Sequence, residues 1–230
     1  MRALKKISQS DFDNLCRGAE ILEKDHYGPK VWLLPDQRIL KTFRRKKFIS
    51  SQLWMPYVTR FARNADLLKK REIPSVQVEA TYRIPEIKRH AVLYGMLKGE
   101  TFRDSMTDLN GHASHRMFEK LGGFIADLHD KGILFRSLHL GNVLVLSDGE
   151  LALIDISDLS FRWFGPLSIK QRIRNFRHMD RRDVDRSALS GEDGTYFINA
   201  YLDAARLRDS AKQTLHEKYE AIFSKYAVLK

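Results

Sequence analysis

Two oxygen-bearing side chains stand at matched places on either side of a turn. Asn142 opens the apolar run 142–146, and Asp155, thirteen residues later, lies near the end of the run 151–156. Between them Ser147-Asp148-Gly149-Glu150 is a hairpin signal. Folding the runs together would bring an amide oxygen and a carboxylate to one mouth of the hairpin. Both are hard ligands of the kind Mg²⁺ takes, with nucleotide phosphates completing its octahedron. Taken singly, Asn142 reads as a turn cap and Asp155 as a strand end; their joint spacing favours the metal reading.

The elements that must position these residues follow from periodicity. Residues 20–24, 31–34 and 38–43 read as strands separated by the turns Asp25-His26-Tyr27-Gly28-Pro29 and Pro35-Asp36. Residues 50–70 carry Leu53, Tyr57, Val58, Phe61, Ala65 and Leu68 at helical spacing. Val76, Val78, Ala80 and Tyr82 alternate like a half-buried strand, and residues 91–97 form another, closed by Lys98-Gly99-Glu100. The period then changes. Met117, Leu121, Phe124, Ile125 and Leu128 mark an amphipathic helix that begins near His112 and His115 and stops at Gly132. Leu215, Tyr219, Ile222, Phe223 and Tyr226 form one face of a last helix. The expectation is an α+β chain in two lobes: a small N-terminal antiparallel sheet with one helix over 1–98, and a mostly helical part over 99–230.

Composition narrows the class. Hydrophobic residues make up 43% and charged residues 30% of the 230, which excludes a disordered or fibrous chain. No apolar run approaches the ~18 residues of a membrane span. The opening residues lack the apolar core of a secretory leader, and the single Cys16 cannot form an internal disulfide, so a cytoplasmic location is expected. Lys and Arg outnumber Asp and Glu by 40 to 29, a net charge of +11. That excess gathers at Lys41, Arg44, Arg45, Lys46 and Lys47, and again at Lys170, Arg172, Arg174, Arg177, Arg181, Arg182 and Arg186. Such clusters suit nucleic acid, anionic headgroups or phosphorylated substrates, or are solvated faces. No RNA-recognition module accompanies them, so nucleic acid is not the expected partner. Cys16 has no neighbour at zinc-ligand spacing. Trp163-Phe164 reads as buried core, or as packing beside an acceptor.

The segment Phe135-Arg136-Ser137-Leu138-His139-Leu140-Gly141-Asn142, followed by a hairpin and Asp155-Ile156-Ser157, resembles the catalytic-loop and metal motifs of protein-kinase-like phosphotransferases. Together with Arg60-Phe61-Ala62-Arg63-Asn64-Ala65, Leu153-Ile154-Asp155 and Arg172-Ile173-Arg174-Asn175-Phe176, it is most similar to the bacterial lipopolysaccharide kinase family, which includes Kdo and heptose kinases and toluene-tolerance proteins. The resemblance implies a kinase fold with the nucleotide on the N-terminal lobe. It also implies transfer of phosphate from ATP, with Mg²⁺, to a sugar hydroxyl of the lipopolysaccharide core at the inner face of the inner membrane. In that reading Lys41 holds the α- and β-phosphates and Asn142 and Asp155 hold the metal. Arg172, Arg174 and Arg177 would face an anionic glycolipid or sugar acceptor.

The chain departs from the family pattern in three places. Ser137 stands where the proton-accepting aspartate belongs, and a hydroxyl of ordinary acidity cannot take that proton. His139 and Asp158 are the nearby alternatives, with His139 more simply a loop hydrogen-bonder. The turn at 25–30 holds one glycine rather than a phosphate-wrapping loop, leaving Lys30 or His26 to cover phosphates or a plain tight turn. Residues 50–70 contain no Glu to pair with Lys41, only Asp66 and the amide Asn64. These departures keep a second reading open: a pseudokinase acting as scaffold or regulator in envelope biogenesis.

Overall fold

The computed structural model describes residues 3–44, 55–107 and 111–223. Arg45, Lys46 and Lys47, the first residues of the helix expected from position 50, and Tyr226 lie outside them. The chain divides into two compact units, one comprising Met1–Lys98 with Asp155–Ser157, the other Gly99–Ile154 with Asp158–Lys230.

The first unit is built on a sheet of β1 (Leu4–Lys6), β2 (Glu20–Asp25), β3 (Gly28–Leu33), β4 (Arg38–Arg44), β5 (Val78–Ile84) and β6 (Arg89–Gly95), in the order β1-β5-β6-β4-β3-β2. The sheet is mixed, not antiparallel, because β1 runs parallel to β5. Leu4-Lys5-Lys6 has no alternation to betray a strand; its pairing is closed by Ile7 N–H bonding Arg83 O at 3.0 Å and Thr81 Oγ1 donating to Ala3 O. A further element was not foreseen, α1 (Gln9–Leu15), whose capping box is Ser8 with Asp11. Phe12 on α1 meets Trp32 edge-on at 5.5 Å, over a core of Ile7, Leu34, Leu40, Ile84, Ala91 and Leu93. The opposite face of the sheet packs on α2 (Tyr57–Lys70), where Phe61 stacks on Tyr94 at 5.5 Å and contacts Phe43.

The second unit is mostly helical. Its strands are short: β7 (Gly99–Thr101) pairs with β9 (Val143–Leu146), β9 with β10 (Leu151–Leu153), and β8 (Ile133–Phe135) with β11 (Leu159–Phe161). The short α3 (Phe102–Ser105) follows β7 directly. The helix α4 (His112–Asp130) turns Phe118, Leu121, Gly122, Ile125 and Leu128 inward, leaving Met117 and Phe124 half-buried at the edge of the stripe. It packs on α7 (Glu192–Ala204) at Gly122, where a Cβ would fall 2.3 Å from Phe197 O, so only glycine permits the approach. Phe176 of α5 (Ile169–Met179), Phe197 and Tyr201 of α7, and Tyr219 and Phe223 of α8 (Asp209–Phe223) form one aromatic core. The remaining helix, α6 (Asp183–Leu189), links α5 to α7.

Candidate active site

Lys41 lies on β4, a strand hydrogen-bonded on both sides, opposite Val31 of β3 and Val92 of β6. Alternation places it with Ile39 and Phe43 on the α2 face, and it is 6% exposed. An ammonium so deep needs a counter-charge. Asp155 supplies it: Lys41 Nζ to Asp155 Oδ1 is 2.8 Å. The Ser157 hydroxyl donates to the same oxygen at 3.4 Å. Burial would raise the Asp155 pKa, but the charge and hydrogen bond of Lys41, with Lys30 and Ser157 helping, outweigh it and hold the carboxyl below its ordinary value. The side chain keeps 39% of its surface exposed, so it is ionised yet reachable.

Two features hold Asp155 there. Its backbone is left-handed at φ 50°, a conformation uncommon outside glycine but tolerated by aspartate. The next residue is clamped from α2, where buried Asn64 donates through Nδ2 to Ile156 O at 2.7 Å. Lys41 therefore takes its counter-charge from outside α2. Asp155 itself provides the carboxylate for Lys41, and Asn64, one of the two residues considered for that task, orients the Asp155 segment instead. Tyr94, on the strand beside β4, is kept a neutral phenol by burial, with the Asp155 charge adding to the effect.

Ser137 and Asn142 come together in the second unit. Asn142 Nδ2 donates to Ser137 O at 2.8 Å. The loop between them is pinned at several points. Asn142 N–H bonds His139 O at 2.9 Å, Leu138 N–H bonds Phe135 O, and Arg136 N–H bonds Asp158 O. Ser137 Oγ is buried and makes no hydrogen bond among the described residues.

Asp185 and Arg103 were not foreseen, and they brace this loop. Asp185 on α6 is fully buried; it accepts Leu140 N–H at 2.8 Å and both Nε and Nη2 of Arg103, at 2.8 and 3.0 Å. The Arg103 guanidinium in turn fills the space a side chain at Gly141 would need, its Nη1 lying 2.6 Å from where a Cβ would sit. The available signal was weak. Asp185 stands four residues before the apolar Leu189, on the buried face of a short helix, within a run of charges that reads as surface.

Arg172 does not face an acceptor. It is fully buried, donating to Leu167 O, to Tyr201 Oη at 2.9 Å and to Asp130 Oδ1 at 2.5 Å. From it a chain of bonds runs through the interior. Tyr201 Oη meets His129 Nδ1 at 2.8 Å, His129 Nε2 meets Asn175 Oδ1 at 3.1 Å, and the Asn175 amide grips both N–H and C=O of Phe135. Asn175 is oriented by that double contact, so its oxygen requires the Nε2–H form of His129, and the tyrosine hydroxyl then donates to Nδ1. Burial and the Arg172 charge push the His129 pKa down to about 3. The motif that suggested an acceptor grip is therefore an internal brace for the strand entering the Ser137 loop. Arg174 and Arg177, on the other face of α5, are exposed.

The remaining candidates resolve simply. The 25–30 turn is a tight turn closed by Tyr27 N–H on Asp25 Oδ1, and Lys30 pairs with Glu23 at 2.6 Å. The Cys16 thiol is pushed up to about 11 by burial, which makes it a poor nucleophile. Trp163 and Phe164 are not core: they are 86% and 87% exposed, in a turn between β11 and α5 whose inward residue is Leu167. No helix among the described residues is long and apolar enough to cross a membrane. No family model matches the chain, and no curated protein matches it.

Proposed function

We propose that the chain is an ATP- and Mg²⁺-dependent phosphotransferase of the lipopolysaccharide-kinase kind, with a two-lobe protein-kinase-like fold and a sugar hydroxyl of an anionic glycolipid as acceptor. The observation that carries the reading is the Lys41–Asp155 pair: a buried cation on a central strand beside an ionised, reachable carboxylate held in left-handed backbone. Those are the two charges that ATP bound with its metal needs. In this reading Mg²⁺ would take the Asp155 carboxylate and the Asn142 amide oxygen, the ligand types a hard cation favours. Magnesium, when bound, neutralises charge on the transferring phosphates. In this reading Lys41 grips the phosphates. In the transfer the acceptor oxygen bonds to the γ-phosphorus, the β–γ bridging bond breaks to leave ADP, and the hydroxyl proton passes to solvent, because Ser137 cannot take it.

The second reading, a pseudokinase scaffold or regulator of envelope biogenesis, is favoured by Ser137 itself. A calorimetric titration with ATP, with and without Mg²⁺, tests the shared premise. Metal-dependent binding that disappears in Asp155→Ala is expected; wild-type affinity in that variant refutes the assignment. Transfer of labelled γ-phosphate to lipopolysaccharide core then separates the readings, since a scaffold binds nucleotide and labels nothing.

A further inference from the structure

Helix α5 has two faces of opposite character. Inward it presents Arg172, Asn175, Phe176 and Met179, all buried. Outward it presents Lys170, Arg174 and Arg177, which at about 100° per residue fall within about 60° of the helix circumference. Arg181 continues the line just past its end, and all four are exposed. None of the four forms an ion pair among the described residues. The nearby carboxylates Asp180 and Asp183 are engaged by Arg186, at 2.7 and 2.6 Å. The cationic row is felt inside: Arg181 and Arg174, together with Arg136 and against Asp158, add to burial in holding the His178 imidazole neutral.

At the N-terminal end of this row the turn at 162–166 carries Trp163 and Phe164 out into solvent. The turn is anchored, not loose. Arg162 Nη1 bonds Gln171 Oε1 in the first turn of α5 at 3.2 Å, Arg162 N–H bonds Gly132 O, and Leu167 N–H bonds His129 O. Exposing two adjacent large aromatics on a braced turn costs solubility and gives nothing to the core. Tryptophan favours the headgroup level of a bilayer, and a row of cations beside it favours anionic lipid.

We infer that this surface, Trp163 and Phe164 together with Lys170, Arg174, Arg177 and Arg181, docks the protein on an anionic lipid bilayer. The aromatic pair enters the headgroup layer and the α5 row lies along the lipid phosphates. Charge complementarity selects this occupant over a neutral apolar partner. The docking stands without nucleotide, so its failure leaves the phosphotransferase reading untouched, and the converse also holds.

Flotation of the full chain with phosphatidylcholine vesicles, and with the same vesicles containing phosphatidylglycerol, tests it. Binding to the anionic vesicles alone is expected. Trp163→Ala with Phe164→Ala should weaken that binding by about tenfold or more while leaving the melting temperature and ATP affinity unchanged. Each of Lys170→Gln, Arg174→Gln and Arg177→Gln should weaken it by about fivefold, the equivalent of about 1 kcal/mol per surface cation. A wild-type chain that stays unbound, or an aromatic double variant that floats as well as wild type, overturns the inference. A self-associated wild-type chain that the double variant renders monomeric, with no vesicle binding, overturns it in favour of a second copy.

Discussion

Under the phosphotransferase reading, Ser137 sets how fast transfer can run. Its hydroxyl is buried and has no hydrogen-bond partner among the described residues, in a loop fixed from both sides, so a carboxylate placed there should keep the loop's geometry. Under the phosphotransferase reading, Ser137→Asp should raise turnover by about 10²–10⁴-fold, the usual worth of a positioned proton acceptor. An unchanged rate would mean that another group takes the proton or that no transfer occurs. Lys41 and Asp155 make a different prediction. Asp155→Ala strands a buried ammonium and should cost about 1–2 kcal/mol, less than a fully enclosed pair because the carboxylate is partly solvated. Lys41→Met leaves only a partly exposed carboxylate, so it should cost less stability, and under the phosphotransferase reading it should also remove ATP binding; chemical denaturation of both variants checks the order of stability. The sequence singled out Lys41 and Asp155 separately, one for phosphate and one for metal, and their pairing with each other was not read from it. Asp185 and Arg103 were not singled out at all, since their bond joins residues far apart in sequence. Arg172 misled because an arginine-rich helix looks alike on its wet and dry sides until the packing chooses between them.

At the scale of elements, the sharpest test is a pair of neighbouring glycines in α4. Gly122 meets the backbone of α7, with Phe197 O and Tyr201 N both under 3.0 Å from a would-be Cβ, and backbone cannot step aside. Gly122→Ala should destabilise by about 3 kcal/mol, at the upper end of overpacking costs. Gly123 has open space around it, so Gly123→Ala should stabilise by about 0.5–1 kcal/mol through helix propensity alone. Denaturation midpoints that move together in the two variants would contradict the α4–α7 contact. The long elements were readable because burial imposes a period on them: β4, β6, α4 and α8 lie within a few residues of the apolar patterns that announce them. Elements held by a few hydrogen bonds carried no such period. β1 and β11 are three residues each, and α1 is announced only by the Ser8–Asp11 box, which resembles any polar turn. The parallel pairing of β1 with β5 lies beyond pattern altogether, because partners as far apart in sequence as Leu4 and Thr81 share no turn to fix their direction.

For the molecule as a whole, acid should act on the two units unequally. In the second unit His129 is enclosed by Tyr201, Asn175, Arg172 and Asp130 and has its pKa pushed down to about 3, and His178 is pushed down to about 4. An unfolded histidine takes up its proton near 6.5. Between that value and the folded ones the unfolded chain therefore binds more protons, so stability is full above pH 6.5 and falls as the solution is acidified. The slope reaches about 1.4 kcal/mol per pH unit for each such histidine. In the first unit the sign comes from a carboxylate. Asp155 is depressed below its ordinary value, so the stability it adds is present above about pH 4 and is lost only below that. Urea unfolding at pH 7.5 and pH 5 should show a clear loss at the lower pH, and peptides spanning α4 and α5 should lose hydrogen-exchange protection before those of β4 and β6. The excess of basic charge drives the same way, since protonation adds to a net charge already at +11. An NMR titration distinguishes the two causes. If His129 is locked in the Nε2–H form, its ring signals stay fixed down to pH 5. A His129 signal moving with a midpoint near 6.5 in the folded chain would show that the Arg172–Tyr201–His129–Asn175 chain does not close, and the support it gives Phe135 and the Ser137 loop would fall with it.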